Sequence, residues 1–223
     1  MNGRYCAVIP AFNAAKTIGE VVRRAKAEGL AVIVVDDGST DETAAVAAEH
    51  GALVISHLRN QGKGCALRTG FLHAQRSRFE GVITLDGDGQ HDPAEIPQLI
   101  AAGERQHAGL VIGNRMVNDA PMPVARRWTN ALMSCLVSTR VRQRIPDSQC
   151  GFRFIRRELL DAVPLQARRF EAETELVVRA AARHWKIISV PVRSIYQRHA
   201  SHIRPVRDGL RFLGLLLRSL TWR

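Results

Sequence analysis

The chain of 223 residues has no uninterrupted apolar stretch near the roughly 18–20 residues that a membrane-spanning helix needs. It is therefore not expected to cross a bilayer. It has four cysteines, Cys6, Cys65, Cys135 and Cys150, with no C-x-x-C pair among them. That spacing argues against a zinc site and supplies no disulfide framework, which points to a reducing compartment. Aromatic residues make up only 5% of the chain. No nucleic-acid motif or stacking set accompanies the basic residues, so a nucleic-acid-binding module would rest on net charge alone. The run that follows Met1-Asn2-Gly3-Arg4 is too short for a signal peptide, and a cytoplasmic protein is expected.

What is present is the composition of a folded globular protein, 46% hydrophobic and 24% charged, with a core of ordinary size. The net charge of +11 is uneven. Residues 1–100 hold 10 Lys/Arg against 12 Asp/Glu, whereas residues 101–223 hold 22 against 9. A basic second half suggests a polyanionic partner, nucleic acid or an anionic membrane surface. Arginine supplies 28 of the 32 basic residues. Genome bias explains that choice but not its placement.

The first half alternates strand and helix. Strands are expected at Tyr5–Ile9, Ala31–Val35, Ala52–Ser56, Gly81–Leu85 and Gly109–Ile112. Helices are expected at Ala14–Ala27, from the capping box Ser39-Thr40-Asp41-Glu42 to His50, at Gly64–Gln75 and after Asp92-Pro93. Continuous apolar strands separated by helices imply an open, Rossmann-like α/β sheet, mostly parallel, with helices on both faces. Beyond a Pro-flanked linker at 119–123, a helix at Val124–Thr139, a strand at Phe152–Ile155, a helix at Glu171–His184 and a strand at Lys186–Val190 follow.

The most informative stretch is Leu85-Asp86-Gly87-Asp88-Gly89-Gln90-His91-Asp92-Pro93. Two carboxylates at a strand end, with glycines between, suit a hard divalent cation that also holds a diphosphate. A lone D-x-D is as readily an acidic turn. Three further polar clusters follow strands: Pro10-Ala11-Phe12-Asn13, Asp36-Asp37-Gly38-Ser39 and Gly113-Asn114-Arg115. In a parallel sheet all four meet at the carboxyl edge, where ligands bind. That convergence favours a site over a turn.

Taken with Val8-Ile9-Pro10-Ala11-Phe12-Asn13, Val34-Val35-Asp36-Asp37-Gly38-Ser39-Thr40-Asp41, Asn60-Gln61-Gly62-Lys63-Gly64 and Asp147-Ser148-Gln149-Cys150-Gly151-Phe152-Arg153, these motifs resemble a family 2 glycosyltransferase of the GT-A fold. The likeness is close to the dolichol- and polyprenyl-phosphate hexose synthases, and the match runs in order over nearly the whole chain. Glu173 with Glu175, and Ser201-His202-Ile203-Arg204-Pro205, extend it.

The resemblance implies one GT-A domain over 1–223. Residues 1–118 would form the nucleotide-sugar half, 119–206 the acceptor side and 207–223 a basic amphipathic helix. Pro10, Phe12, Asp36 and Asp37 would surround the nucleoside, with Asp37 the better candidate for direct contact. Asn13, Lys63 and Gly87 would complete the donor set. Asp86, Asp88 and Gln90 would hold Mg²⁺ or Mn²⁺ on the diphosphate, and Arg115 would neutralise diphosphate or acceptor phosphate. Arg126, Arg127, Asp147, Ser201, His202 and Arg204 would serve the acceptor side. Ala14 stands where the family often has Glu, which leaves the nucleotide base open.

The implied reaction is inverting transfer of a hexose to a lipid-linked acceptor, a polyprenyl phosphate first, at the inner membrane face. A phosphate acceptor needs no strong base; a hydroxyl acceptor would need Glu173 as one. The alternative for Glu173 is an ion pair with Arg168 or Arg169. A nucleotidyltransferase lacks its expected Gly-rich loop after the first strand, and the full P-loop string around Lys63 is missing. His50, His57, His73, His107 and His184 read as surface or helix-end residues. Leu210, Phe212, Leu213, Leu216, Leu217 and Leu220 interleaved with arginines, and the Arg126-Arg127-Trp128 helix, suit an interfacial membrane contact. Core packing with a polar outer face, or a dimer contact, is the competing reading.

Overall fold

The computed structural model describes residues 3–117, 122–195 and 205–222. Seven strands form one sheet: β1 (Tyr5–Ala11), β2 (Ala31–Asp36), β3 (Leu53–Ser56), β4 (Gly81–Thr84), β5 (Leu110–Asn114), β6 (Arg153–Arg156) and β7 (Ile187–Pro191). Their order is β3-β2-β1-β4-β6-β5-β7. β6 runs antiparallel to β4 and β5; the other pairings are parallel. β6 and β7 come from the second half of the sequence, so both halves build one GT-A-like mixed sheet. The strands at its centre are apolar throughout because both faces are covered, and Cys6, Ala7, Val8 and Ile9 have no exposed surface.

Among the described residues eight helices accompany the sheet: α1 (Ile18–Ala27), α2 (Thr43–Glu49), α3 (Lys63–Arg76), α4 (Ile96–Gln106), α5 (Val124–Val141), α6 (Arg157–Ala162), α7 (Glu171–Ala182) and α8 (Pro205–Ser219). Two starts differ from the sequence reading. Asn13 adopts φ 51°, and the N–H groups of Ala14 and Ala15 donate to Thr43 and Asp41 of the next loop, so α1 begins only at Ile18. The Ser39–Glu42 capping box does not form. The Ser39 hydroxyl instead accepts from the Asn13 N–H, Asp41 takes the Thr43 N–H, and α2 starts at Thr43. Asp92 does cap, accepting from the Ala94 N–H at a 3-10 turn that leads into α4. The short α6 was not foreseen.

Two helices carry apolar side chains outward. α5 buries Asn130, Ser134 and Val137, while Val124, Trp128, Leu132 and Leu136 are exposed. α8 packs Phe212 and Leu215 inward and exposes Leu213 and Leu217, with Leu220 just beyond it also exposed. Arg140 of α5 joins the two by donating from Nε to the Ser219 hydroxyl at 2.9 Å. α8 thus has a core-packing face, but its outer face is not simply polar. Among the described residues no helix is long and apolar enough to cross a membrane.

The close seating of α3 on the sheet depends on Gly70. A Cβ there would lie 2.3 Å from Val8 Cγ1 and 3.3 Å from Val35 Cγ2. Mid-helix Gly→Ala would by itself gain about 1 kcal/mol; overpacking a dense core costs about 1–3 kcal/mol. Gly70→Ala is therefore expected to lower the urea midpoint without changing the slope of the unfolding transition.

Candidate active site

The parallel strands bring the polar clusters to one edge. There the Lys63 ammonium, at the first position of α3, sits 2.5 Å from Asp86 Oδ1 and 2.9 Å from Glu173 Oε1. Gly151 closes the same space: a Cβ there would be 2.8 Å from Glu173 Oε1, 2.9 Å from Asp86 Oδ2 and 3.0 Å from Lys63 Nζ. Burial alone would lower the Lys63 ammonium, but the two carboxylates outweigh it and raise it. Burial likewise opposes the Asp86 charge, yet Lys63, with His91 and Arg115, holds its carboxyl down to about 2. Glu173 thus pairs with Lys63, not with Arg168 or Arg169.

Asp88 is half-buried, and its Oδ1 accepts the Gln90 N–H at 3.0 Å. Burial, then the neighbouring Asp86 charge, raises its carboxyl above the ordinary value, while Arg126 acts in the opposite sense. Arg126 of α5 is half-buried, and Arg127 is exposed. Of the two glycines in the loop only Gly89 takes a left-handed φ, 75°. Gly87 keeps an ordinary backbone and accepts the Thr17 hydroxyl at its carbonyl, 2.6 Å.

Other predicted residues are engaged within the protein. Asp37 is buried, and its carboxylate accepts from His57 Nδ1 at 2.7 Å, the Gln61 N–H at 3.0 Å and the Gly62 N–H at 2.7 Å. It orders the loop that presents Lys63, leaving little capacity for a ligand. Asp36, also buried, takes the Ser39 N–H. Asn13 Oδ1 accepts the Thr40 N–H, and Pro10 and Phe12 are half-buried at the end of β1. Arg115 and Asp147 form a buried bidentate pair, Nε to Oδ2 at 2.8 Å and Nη2 to Oδ1 at 3.0 Å. Ser201, His202 and Arg204 lie outside the described residues.

Several contributors escaped the sequence reading. His91 is buried, stacks on Phe152 at 5.3 Å and accepts the Asp86 N–H at Nδ1. Burial lowers it to about 4, so the ring is neutral and carries its proton on Nε2. His57, expected at the surface, is tucked between Asp37 and the Thr69 hydroxyl. Arg153 is fully buried and donates to the carbonyls of Cys150, Glu173 and Ser148. It fastens the 147–151 turn to α7. An arginine between Phe152 and Phe154 in an apolar strand was the available signal. Glu175 accepts the Gln166 and Ala167 N–H groups and Arg179.

The donor set fits a hard cation. Asp86 is ionised, Asp88 adds a second carboxylate two residues on, and such cations complete their shell with phosphate oxygens and water. Among the described residues no three His, Cys, Asp or Glu side chains form a closed metal cage. With two carboxylates only, a cation held here would have to complete its shell with other ligands.

The family model for glycosyl transferase family 2 matches residues 6–163. The chain belongs to this family. It is 30% identical over 226 residues to the undecaprenyl-phosphate 4-deoxy-4-formamido-L-arabinose transferase of Pseudomonas fluorescens, covering 96% of this chain and 63% of that one. It is 28% identical over 216 residues to the UDP-N-acetylglucosamine–dolichyl-phosphate N-acetylglucosaminyltransferase of Methanococcus voltae, covering 86% of each. Among solved structures, glucosyl-3-phosphoglycerate synthase of Mycobacterium tuberculosis in complex with UDP superposes with a TM-score of 0.73 at 25% identity, covering 97% of this chain and 80% of that one. This family 2 glycosyltransferase therefore resembles polyprenyl-phosphate sugar transferases in sequence and has GT-A relatives in fold.

The Arg115–Asp147 pair gives a direct test of how the edge is held. Asp147→Ala leaves a buried guanidinium uncompensated and is expected to cost about 3–5 kcal/mol, read from urea unfolding.

Proposed function

We propose that the protein is an inverting glycosyltransferase that moves a hexose from a nucleotide sugar to a polyprenyl phosphate, with Mg²⁺ or Mn²⁺ held by Asp86, Asp88 and Gln90. The observation that carries this reading is the Lys63 ammonium between Asp86 and Glu173 at the carboxyl edge of the sheet. A divalent ion, when bound, would screen the diphosphate as the anomeric bond breaks. The chain's own groups divide the remaining work. Asp86 and Asp88 provide oxygen ligands, and Lys63 is free to turn from Asp86 toward an incoming diphosphate. Arg126 adds positive charge beside Asp88. Arg115 is locked to Asp147, which compensates its charge, so it would shape the edge rather than clamp a phosphate.

The phosphate acceptor is favoured because Glu173 is already committed to Lys63 and is a poor base while so paired. An anionic phosphate oxygen can attack without one. The two relatives named for undecaprenyl- and dolichyl-phosphate transfer support the same acceptor, and the UDP-bound neighbour supports a nucleotide donor. The second reading is a hydroxyl acceptor with Glu173 as base, favoured by the neighbour named for glucosyl-3-phosphoglycerate synthesis.

Transfer of labelled sugar from a panel of nucleotide sugars into polyprenyl phosphate, with and without chelator, tests the proposal. Asp88→Ala and chelation are each expected to lower the rate by about 10²–10³-fold, the scale of losing one electrostatic contact to developing charge. An Asp88→Ala enzyme with full activity would remove the metal role. Glu173→Gln is expected to retain transfer to a phosphate. Loss of turnover in that variant with donor affinity intact would establish the hydroxyl reading instead.

We further propose that the enzyme works peripherally at the inner membrane face. The exposed stripes Val124-Trp128-Leu132-Leu136 and Leu213-Leu217-Leu220 would enter the lipid interface, with basic residues beside them. Trp128→Ser with Leu217→Ser would remove about 1.5–3 kcal/mol of apolar burial at each site. Sedimentation with anionic vesicles is expected to weaken at least about tenfold, with affinity for nucleotide unchanged; undiminished sedimentation would refute the contact.

A further inference from the structure

An ammonium group stands at the carboxylate that a divalent ion has to reach. Lys63 Nζ is 2.5 Å from Asp86 Oδ1 and 2.9 Å from Glu173 Oε1, and Asp86 is the more open of the two carboxylates, 28% exposed against 9%. The other side of Asp86 is closed, since a Cβ on Gly151 would lie 2.9 Å from its Oδ2 and 3.0 Å from Lys63 Nζ. A second cation on Asp86 would therefore share its carboxylate with the ammonium at a distance where like charges repel. The backbone that carries Lys63 is held in place. Asp37 accepts the Gln61 and Gly62 N–H groups, and a Cβ on Gly62 would lie 2.6 Å from the Arg168 carbonyl oxygen. Adjustment falls to the side chain, a compact charge with three rotatable donors on a four-carbon stem.

We infer that Lys63 couples metal binding to diphosphate binding: its ammonium guards Asp86 against a free divalent ion and yields the carboxylate when a nucleoside diphosphate arrives with the metal. The inference rests on the metal–diphosphate reading of this edge and adds to it the order in which the edge is filled. When Asp86 turns to a metal, Lys63 keeps Glu173 but loses the second anion that accompanies its burial. A diphosphate oxygen replaces that anion. Metal alone leaves the ammonium half compensated and repelled, and diphosphate alone has to draw the ammonium from Asp86 without a metal to take that carboxylate over. Each ligand thus binds better to an edge that holds the other, and such coupling is reciprocal, typically about 5–150-fold. Glu173, the less exposed carboxylate, is the anchor that keeps the ammonium at the edge in both arrangements.

Calorimetric titration of the full chain with Mn²⁺, alone and with UDP or GDP present, tests the coupling without reference to turnover. In Lys63→Met, Mn²⁺ alone is expected to bind at least about tenfold more tightly than in the unaltered protein, and the gain from nucleotide should shrink by a similar factor. Arg126→Gln removes a neighbouring positive charge without vacating Asp86, so it should change the affinity for Mn²⁺ alone far less. If Lys63→Met does not fold, a crystal structure of the unaltered protein with Mn²⁺ and the nucleotide that binds decides instead. There Lys63 Nζ should have left Asp86 for a diphosphate oxygen while keeping Glu173. The coupling is refuted, with the donor site intact, if Mn²⁺ and nucleotide bind but Lys63→Met leaves the affinity for Mn²⁺ alone unchanged. An equal rise in Arg126→Gln, or Nζ still paired with Asp86 in the loaded crystal, refutes it in the same way. Absence of Mn²⁺ binding with either nucleotide overturns the donor-site reading itself, and the coupling with it.

Discussion

An ammonium group leaves water only if anions accompany it, and at the carboxyl edge of this sheet Lys63 finds two, Asp86 just after β4 and Glu173 from α7. The triad is also what joins the two halves of the sequence. Asp86 follows the fourth strand, Lys63 opens the third helix, and Glu173 belongs to the basic second half. Where they meet, Gly151 leaves them room, because a Cβ there would lie within 3.0 Å of all three side-chain ends, which would have to shift. The 147–151 turn must then approach as bare backbone. Its carbonyls need donors, and Arg153 provides them from within the sheet.

Two buried guanidinium groups show how differently the same chemistry is used. Arg115 is matched by one carboxylate in a bidentate pair, so its charge is compensated and its direction locked. Arg153 donates to three carbonyls, one of them that of Glu173, and so acts as a structural pin. Lys63, by contrast, is an ammonium shared between two carboxylates, Asp86 and Glu173.

The second half adds an outward-facing chemistry to this edge. α5 places Asn130 and Ser134 inside and Trp128 and Leu132 outside, the reverse of a helix that serves only a core. α8 has apolar residues on both sides, Phe212 and Leu215 inward, Leu213 and Leu217 outward. Arg140, near the end of α5, donates to Ser219 at the end of α8.

Much of this was legible in the residues. Buried parallel strands declare themselves as unbroken apolar runs, and turns between strand and helix declare themselves through Asp, Gly and Pro. The open α/β sheet and the convergence of Asp86, Asp88 and Arg115 at one edge therefore follow from local pattern alone. Local pattern failed where a loop had partners elsewhere: Ser39 served Asn13 rather than its own helix, and Ala14 and Ala15 gave their N–H groups to Thr43 and Asp41. Partner choice between distant charges was equally hidden. Nothing near Glu173 names Lys63, which is 110 positions away, and the adjacent Arg168 and Arg169 looked the better match. Fold class and the residue types at the edge are written in chain order, because hydrophobic periodicity and residue type act locally. Which charge meets which, the enclosure of His57 and His91, and the outward apolar stripe of α5 arise on folding, because burial and Coulomb pairing depend on distances that chain order does not contain.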